Sequence, residues 1–66
     1  MRVTVNGTDR EVPDGATVAD VLSALGLTGT GIAVAMAGEV VPRAERAATP
    51  VPEGAVLEVL TAVQGG

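Results

Sequence analysis

Thr17-Val18-Ala19-Asp20-Val21-Leu22-Ser23-Ala24-Leu25-Gly26 is the stretch around which the rest of the chain arranges itself. Val18, Val21, Leu22 and Leu25 recur at i, i+3, i+4 and i+7, which is one face of an α-helix. Thr17 stands where an N-cap is needed, its hydroxyl able to accept from the backbone N–H near Asp20. The Asp20 carboxylate in the first turn suits the positive end of the helix dipole. Gly26 can take the left-handed conformation that closes a helix. Period and caps together predict one helix over about Val18–Leu25.

On either side the period falls to two. Val3-Thr4-Val5 alternates apolar and polar, Asn6-Gly7-Thr8-Asp9 is a turn cluster, and Arg10-Glu11-Val12 reads as the returning strand. Val3, Val5 and Val12 are expected to face one core, because a one-residue slip would expose all three. After the helix, Ile32-Ala33-Val34-Ala35-Met36 is a strand with Ile32, Val34 and Met36 on one side and the two alanines on the other. Ala37-Gly38 turns it into Glu39-Val40-Val41, and Pro42 ends that strand. Arg43–Gly54, punctuated by Pro50, Pro52 and Gly54, is expected to be an ordered loop at best. Ala55–Thr61 closes as a strand with Leu57 and Val59 inward and Val56, Glu58 and Leu60 outward.

A hairpin, a helix and further short strands suit one mixed sheet of four to five strands packed on one helix. That α+β arrangement is the β-grasp fold of ubiquitin, although the order alone also fits other small α+β domains. Residues 1–61 form the single domain, and residues 62–66 are expected to be a flexible tail.

Composition narrows the chemistry. The chain has 66 residues, with no Cys, His, Phe, Tyr or Trp. A core must come from aliphatic side chains, each contributing about 1.5–3 kcal/mol when fully buried. At this length only roughly 60% of the unfolded surface can be buried, so stability is thin. Without His or Cys, the commonest general base, the commonest covalent nucleophile and the usual zinc sites are missing. An independent enzyme is not expected. The net charge of −4 and the lack of aromatic platforms argue against nucleic acid. No segment approaches the ~20 apolar residues that cross a bilayer, and the first residues reach a turn too early for a signal peptide. The expected address is the cytoplasm.

What remains is the end of the chain, Val63-Gln64-Gly65-Gly66. A terminal glycine pair also fits a frayed end. Its position directly after the closing strand gives it a chemical reading. To activate a carboxylate, a partner must bring it against the α-phosphate of ATP. Two residues without side chains make a thread that fits a narrow channel. The carboxylate of Gly66 then needs only reach, because positioning and Mg²⁺-assisted electrostatics come from the partner.

The chain resembles the thiamine-biosynthesis sulfur carriers of the ThiS family from Met1 to Gly66. The resemblance is carried by Val3-Thr4-Val5-Asn6-Gly7, the helix entry Thr17-Val18, the block Val34-Ala35-Met36-Ala37-Gly38-Glu39-Val40-Val41-Pro42-Arg43, and the Gly-Gly end. It implies that an E1-like adenylyltransferase activates Gly66 with ATP. It implies also that a sulfur donor such as a cysteine desulfurase supplies the sulfur of a terminal thiocarboxylate, and that thiazole synthase accepts it. Val63, Gln64 and Gly65 would be the tail that enters the partner's channel, and the carrier itself would hold no cofactor or metal. Two places depart from the family pattern. Ala37-Gly38 stands where relatives often have Asn-Gly, and Glu45-Arg46-Ala47 where many carry an aromatic.

The same tail chemistry would serve a carrier for molybdopterin or cysteine synthesis, or a ubiquitin-like protein modifier. Ala35, Val56 and Leu60 would form an apolar docking patch if they share the uncovered sheet face. Arg43 could pair with a partner carboxylate, although exposed arginines are usually just solvated.

Overall fold

The computed structural model describes residues 1–27 and 31–61. Helix α1 (Val18–Ala24) begins at a complete capping box. The Asp20 N–H donates to the Thr17 hydroxyl at 3.2 Å, and the Thr17 N–H donates to the Asp20 carboxylate at 2.9 Å. At the other end Leu25 is the C-cap, and Gly26 takes a φ of +73°. The Leu27 N–H bonds the Leu22 carbonyl at 2.8 Å and the Gly26 N–H bonds Ser23 at 3.0 Å, the paired closure of a Schellman motif. The helix therefore stops one residue before the end that its apolar spacing predicts.

Strands β1 (Arg2–Val5) and β2 (Thr8–Glu11) pair antiparallel, as do β3 (Ile32–Met36) and β4 (Glu39–Val40). Each hairpin turns on two left-handed residues: Asn6 and Gly7 at φ +51° and +81°, Ala37 and Gly38 at +53° and +83°. This is the two-residue geometry whose twist matches the flanking strands. Because the first turn consumes only Asn6-Gly7, β2 starts at Thr8, two residues earlier than the sequence reading places it. Val12 lies just past β2 but stays buried, its N–H bonded to the Met1 carbonyl at 2.8 Å. Val3, Val5 and Val12 do share the core.

The last strand, β5 (Val56–Thr61), lies at the centre of a five-stranded sheet ordered β2-β1-β5-β3-β4. It runs parallel to β1 and antiparallel to β3. Leu57 and Val59 point to the helix side, where they meet Val3, Val5 and Val34 of the sheet and Val18, Val21 and Leu22 of α1. One mixed sheet on one helix is the β-grasp arrangement.

The connection before β5 departs from expectation. It is more than a loop: Arg43–Ala48 forms a 3₁₀ helix packed against α1. This alanine-rich run contains no glycine or proline to break it, and Pro42 precedes it in an extended conformation. At six residues it is too short to show a helical apolar period, so the sequence carried little sign of it. The segment that follows is stitched to the start of α1. Val18 N–H donates to the Thr49 carbonyl and Val51 N–H to the Ala16 carbonyl, both at 2.9 Å, and Val51 is buried.

Candidate functional site

The helix covers one side of the sheet, with the 3₁₀ segment packed against the helix, and the other side is open. Along β5 the side chains alternate, so burying Leu57 and Val59 obliges Val56, Glu58 and Leu60 to face out. Pairing then brings neighbours beside them. Leu60 is opposite Ala33, Glu58 is opposite Ala35, and Ala35 is in turn opposite Val40 on β4. The three large apolar residues left exposed among those described all lie on this face: Val40, Val56 and Leu60 at 74%, 54% and 72%. The alanines between them are short, so the face is dished. A shallow depression of about 100 Å³ runs over Ala33, Ala35, Val40, Glu58 and Leu60. A wider open groove of about 570 Å³ lies on the β1 side of Leu60, over Thr4, Asn6 and Val56.

Over β3, β4 and β5 this face is apolar around one carboxylate, Glu58, whereas its β1–β2 half carries Arg2, Thr4, Asp9 and Glu11. Ala35, Val56 and Leu60 are brought together here, as their alternation along the strands suggested. Arg43 is not. It is exposed at the first residue of the 3₁₀ helix, which packs on α1, and it forms no ion pair among the described residues. Val40 and Ala33 belong to the face but were missed by sequence reasoning. The available signal was the alternation itself: with Val41 buried, Val40 must point the other way.

The strand that builds this face also carries the chain toward its end. Thr61, the last residue of β5, pairs with Ile32 and directly follows Leu60. Ala62, Val63, Gln64, Gly65 and Gly66 lie outside the described residues. The tail, and the expectation that it is flexible, lie there with them.

The described residues include no buried polar or charged side chain. No group of three or more acids among them is arranged to hold a metal ion. No helix among them is long and apolar enough to cross a membrane. One guanidinium is partly enclosed: Arg46 donates to the Ile32 carbonyl and so ties the 3₁₀ helix to the start of β3.

Comparison with known proteins gives a consistent result. A family model described as the ThiS family matches residues 3–66. The crystal structure of a thiamine biosynthesis protein (ThiS) from Geobacter metallireducens superposes with a TM-score of 0.83 at 35% identity, over 100% of each chain. An NMR solution structure of a thiamine biosynthesis protein from the same organism gives 0.81 at 35% identity, over 100% of this chain and 88% of that one. No curated protein sequence matches the chain.

Proposed function

The chain belongs to the ThiS family, and we propose on that basis that it is a cytoplasmic sulfur carrier of thiamine biosynthesis whose reactive group is the carboxylate of Gly66. The observation that carries this reading is that the family match runs to residue 66 and so takes in the terminal glycine pair.

The chemistry follows from a carboxylate that must be made electrophilic. Gly66 attacks the α-phosphate of ATP in an E1-like adenylyltransferase, pyrophosphate leaves, and an acyl-adenylate forms. The outer sulfur of a persulfide, supplied by a cysteine desulfurase, displaces AMP. Cleavage of the resulting S–S bond by a thiol leaves a thiocarboxylate on Gly66. Thiazole synthase accepts that sulfur. The carrier contributes no acid, base or metal; ATP and Mg²⁺ are held by the activating partner. Val63, Gln64 and Gly65 are the residues that pass through the partner's channel, and at Gly65, next to the reacting carboxylate, a side chain would obstruct the approach.

The open face of the sheet supplies the docking surface. Val40, Val56 and Leu60 offer apolar area next to the strand end that leads to Gly66, and Glu58 within the patch suits a partner surface that places a cation among apolar groups.

Intact mass after incubation with ATP, the activating enzyme and a sulfur source tests the reading. We expect the gain for replacing one oxygen by sulfur, located on Gly66. Deleting Gly66, or appending one residue after it, should leave a folded protein that gains nothing. Retained activity in either variant would refute the proposal. Reconstitution with thiazole synthase tests the destination, and failure to deliver sulfur there would reject the thiamine assignment.

A further inference from the structure

Strand β1 runs beside β5 for only part of its length. The parallel register covers Thr4 against Val56 and Val5 against Leu57, and the Asn6 N–H adds one more bond to the Leu57 carbonyl at 3.0 Å. At Asn6-Gly7 the chain then turns away into β2. No residue of β1 remains to pair with Val59. Its other neighbour does not help: Val34 lies opposite on β3, but the backbone N–H and carbonyl of Val59 point toward the vacated β1 side. The side chain of Asn6 takes up both. Its Oδ1 accepts the Val59 N–H at 2.8 Å, and its Nδ2 donates to the Val59 carbonyl at 3.1 Å. The carboxamide acts as one more peptide unit of the ladder.

Position 6 carries two demands. The turn needs a left-handed residue, here at φ +51°, and the strand needs a donor and an acceptor on one short side chain. Glycine meets only the first, and aspartate in its charged form offers only acceptors. Asparagine meets both.

The place of this clamp gives it a consequence. Val59 lies two residues before Thr61, where the chain leaves β5 for Gly66, and it flanks Leu60 of the open face. Past Leu57, β5 is held by β3 on one flank and by one side chain on the other. We infer that Asn6 is a positioning residue for sulfur loading: by clamping Val59 it holds the docking residue Leu60 and the origin of the tail in one rigid unit. This rests on the carrier reading above. From Thr61 the remaining five residues span at most about 18 Å at full extension. Where that thread starts therefore decides whether the carboxylate meets the α-phosphate.

The experiment compares Asn6→Gly, Asn6→Asp and a control, Thr17→Ala, which removes the helix cap far from the strand end. Two readouts are taken: thiocarboxylate formation, as kcat/KM for the carrier, and amide hydrogen exchange of the carrier alone. Asn6→Gly should lower kcat/KM by about tenfold, since placement errors of this kind are costly to a reaction governed by orientation. It should also speed exchange at Val59 while leaving Val21 and Leu22 of the helix protected. Thr17→Ala, assayed where both variants are fully folded, should keep wild-type kcat/KM. At neutral pH Asn6→Asp should fall between Asn6→Gly and the wild type, because its carboxylate still accepts the Val59 N–H but sets a second oxygen against the Val59 carbonyl. Its Val59 protection should rise to the wild-type level as the pH falls through about 4, where a protonated carboxyl offers one donor and one acceptor.

Wild-type kcat/KM in Asn6→Gly, or an equal loss in Thr17→Ala, would overturn the positioning role. Unchanged Val59 exchange in Asn6→Gly would overturn the clamp. If the wild-type protein gains no sulfur at all, the carrier reading fails instead, and the exchange data still decide the clamp.

Discussion

Leu60 on β5 faces Ala33 on β3 directly across the sheet, and the short alanine leaves the leucine 72% exposed. A residue this exposed contributes little to folding, whereas covering it with a partner returns much of the roughly 1.5–3 kcal/mol that burial of a leucine supplies. Leu60→Ser should therefore leave the denaturation midpoint almost unchanged, within about 0.5 kcal/mol as for ordinary surface substitutions. It should raise KM for the carrier in the activation step about tenfold, the size expected for losing a buried apolar anchor. Steady-state kinetics beside a urea titration checks both halves. Val40→Ser should act in the same direction.

The β3–β4 turn stores strain that can be relieved. Ala37 sits at φ +53°, where a Cβ costs roughly 1–2 kcal/mol. Asn6 fills the equivalent place in the other hairpin at nearly the same angle. Ala37→Asn or Ala37→Gly should stabilise the fold by about 1 kcal/mol, raising Tm by roughly 4–8 °C for a domain of this size. Calorimetry reads the shift directly. No change, or a decrease, would show that the turn is not strained as its angles imply.

Stability should also depend on pH through the amino terminus. The Met1 ammonium donates to the Val12 carbonyl at 2.7 Å and lies 3.3 Å from Asp14 and 3.5 Å from Glu11. The hydrogen bond to Asp14, helped by the charges of Asp14 and Glu11, lifts its pKa above the ordinary 8.0 despite an opposing effect of burial. A raised folded-state pKa means the stabilisation is complete below pH 8 and is lost as the pH climbs through the folded value. Urea midpoints should therefore stay level below pH 8 and fall as the pH is raised beyond it. Acetylation of the amine should lower the midpoint at pH 7 and remove this part of the dependence.

That amine is also the only primary amine in the sequence, which contains no lysine. An activated Gly66 acyl group thus meets no side-chain amine or thiol on another copy of the chain. Prolonged incubation with ATP and the activating enzyme, without a sulfur source, should give hydrolysis and no covalent dimers by intact mass. A lysine introduced on the open face, as in Val56→Lys, is the positive control. Dimers of the unmodified chain would contradict the expectation.

Much of the fold was legible because its signals are short in range. The capping box uses Thr17 and Asp20, three residues apart, and the Schellman closure uses Leu22 to Leu27. Both hairpin turns are dipeptides whose second residue is glycine. The 3₁₀ helix escaped because six residues are too few to display a period. Within the candidate docking surface, alternation along β5 pointed to Val56 and Leu60. Arg43 did not join them, because its place is decided by the packing of the 3₁₀ helix on α1.

The sequence by itself determined the helix and its caps, both turns, the inward and outward faces of β5, and the glycine pair at residues 65 and 66. Each is set by backbone conformation, capping or alternation within a few residues. Only the tertiary structure decided that the last strand lies between β1 and β3, that Val40 reaches the same open face as Leu60, and that Asn6 clamps Val59 from 53 residues away. Those relations depend on which strands lie side by side. That choice is made when the whole apolar side of the sheet closes on one helix, and no local stretch of chain contains it.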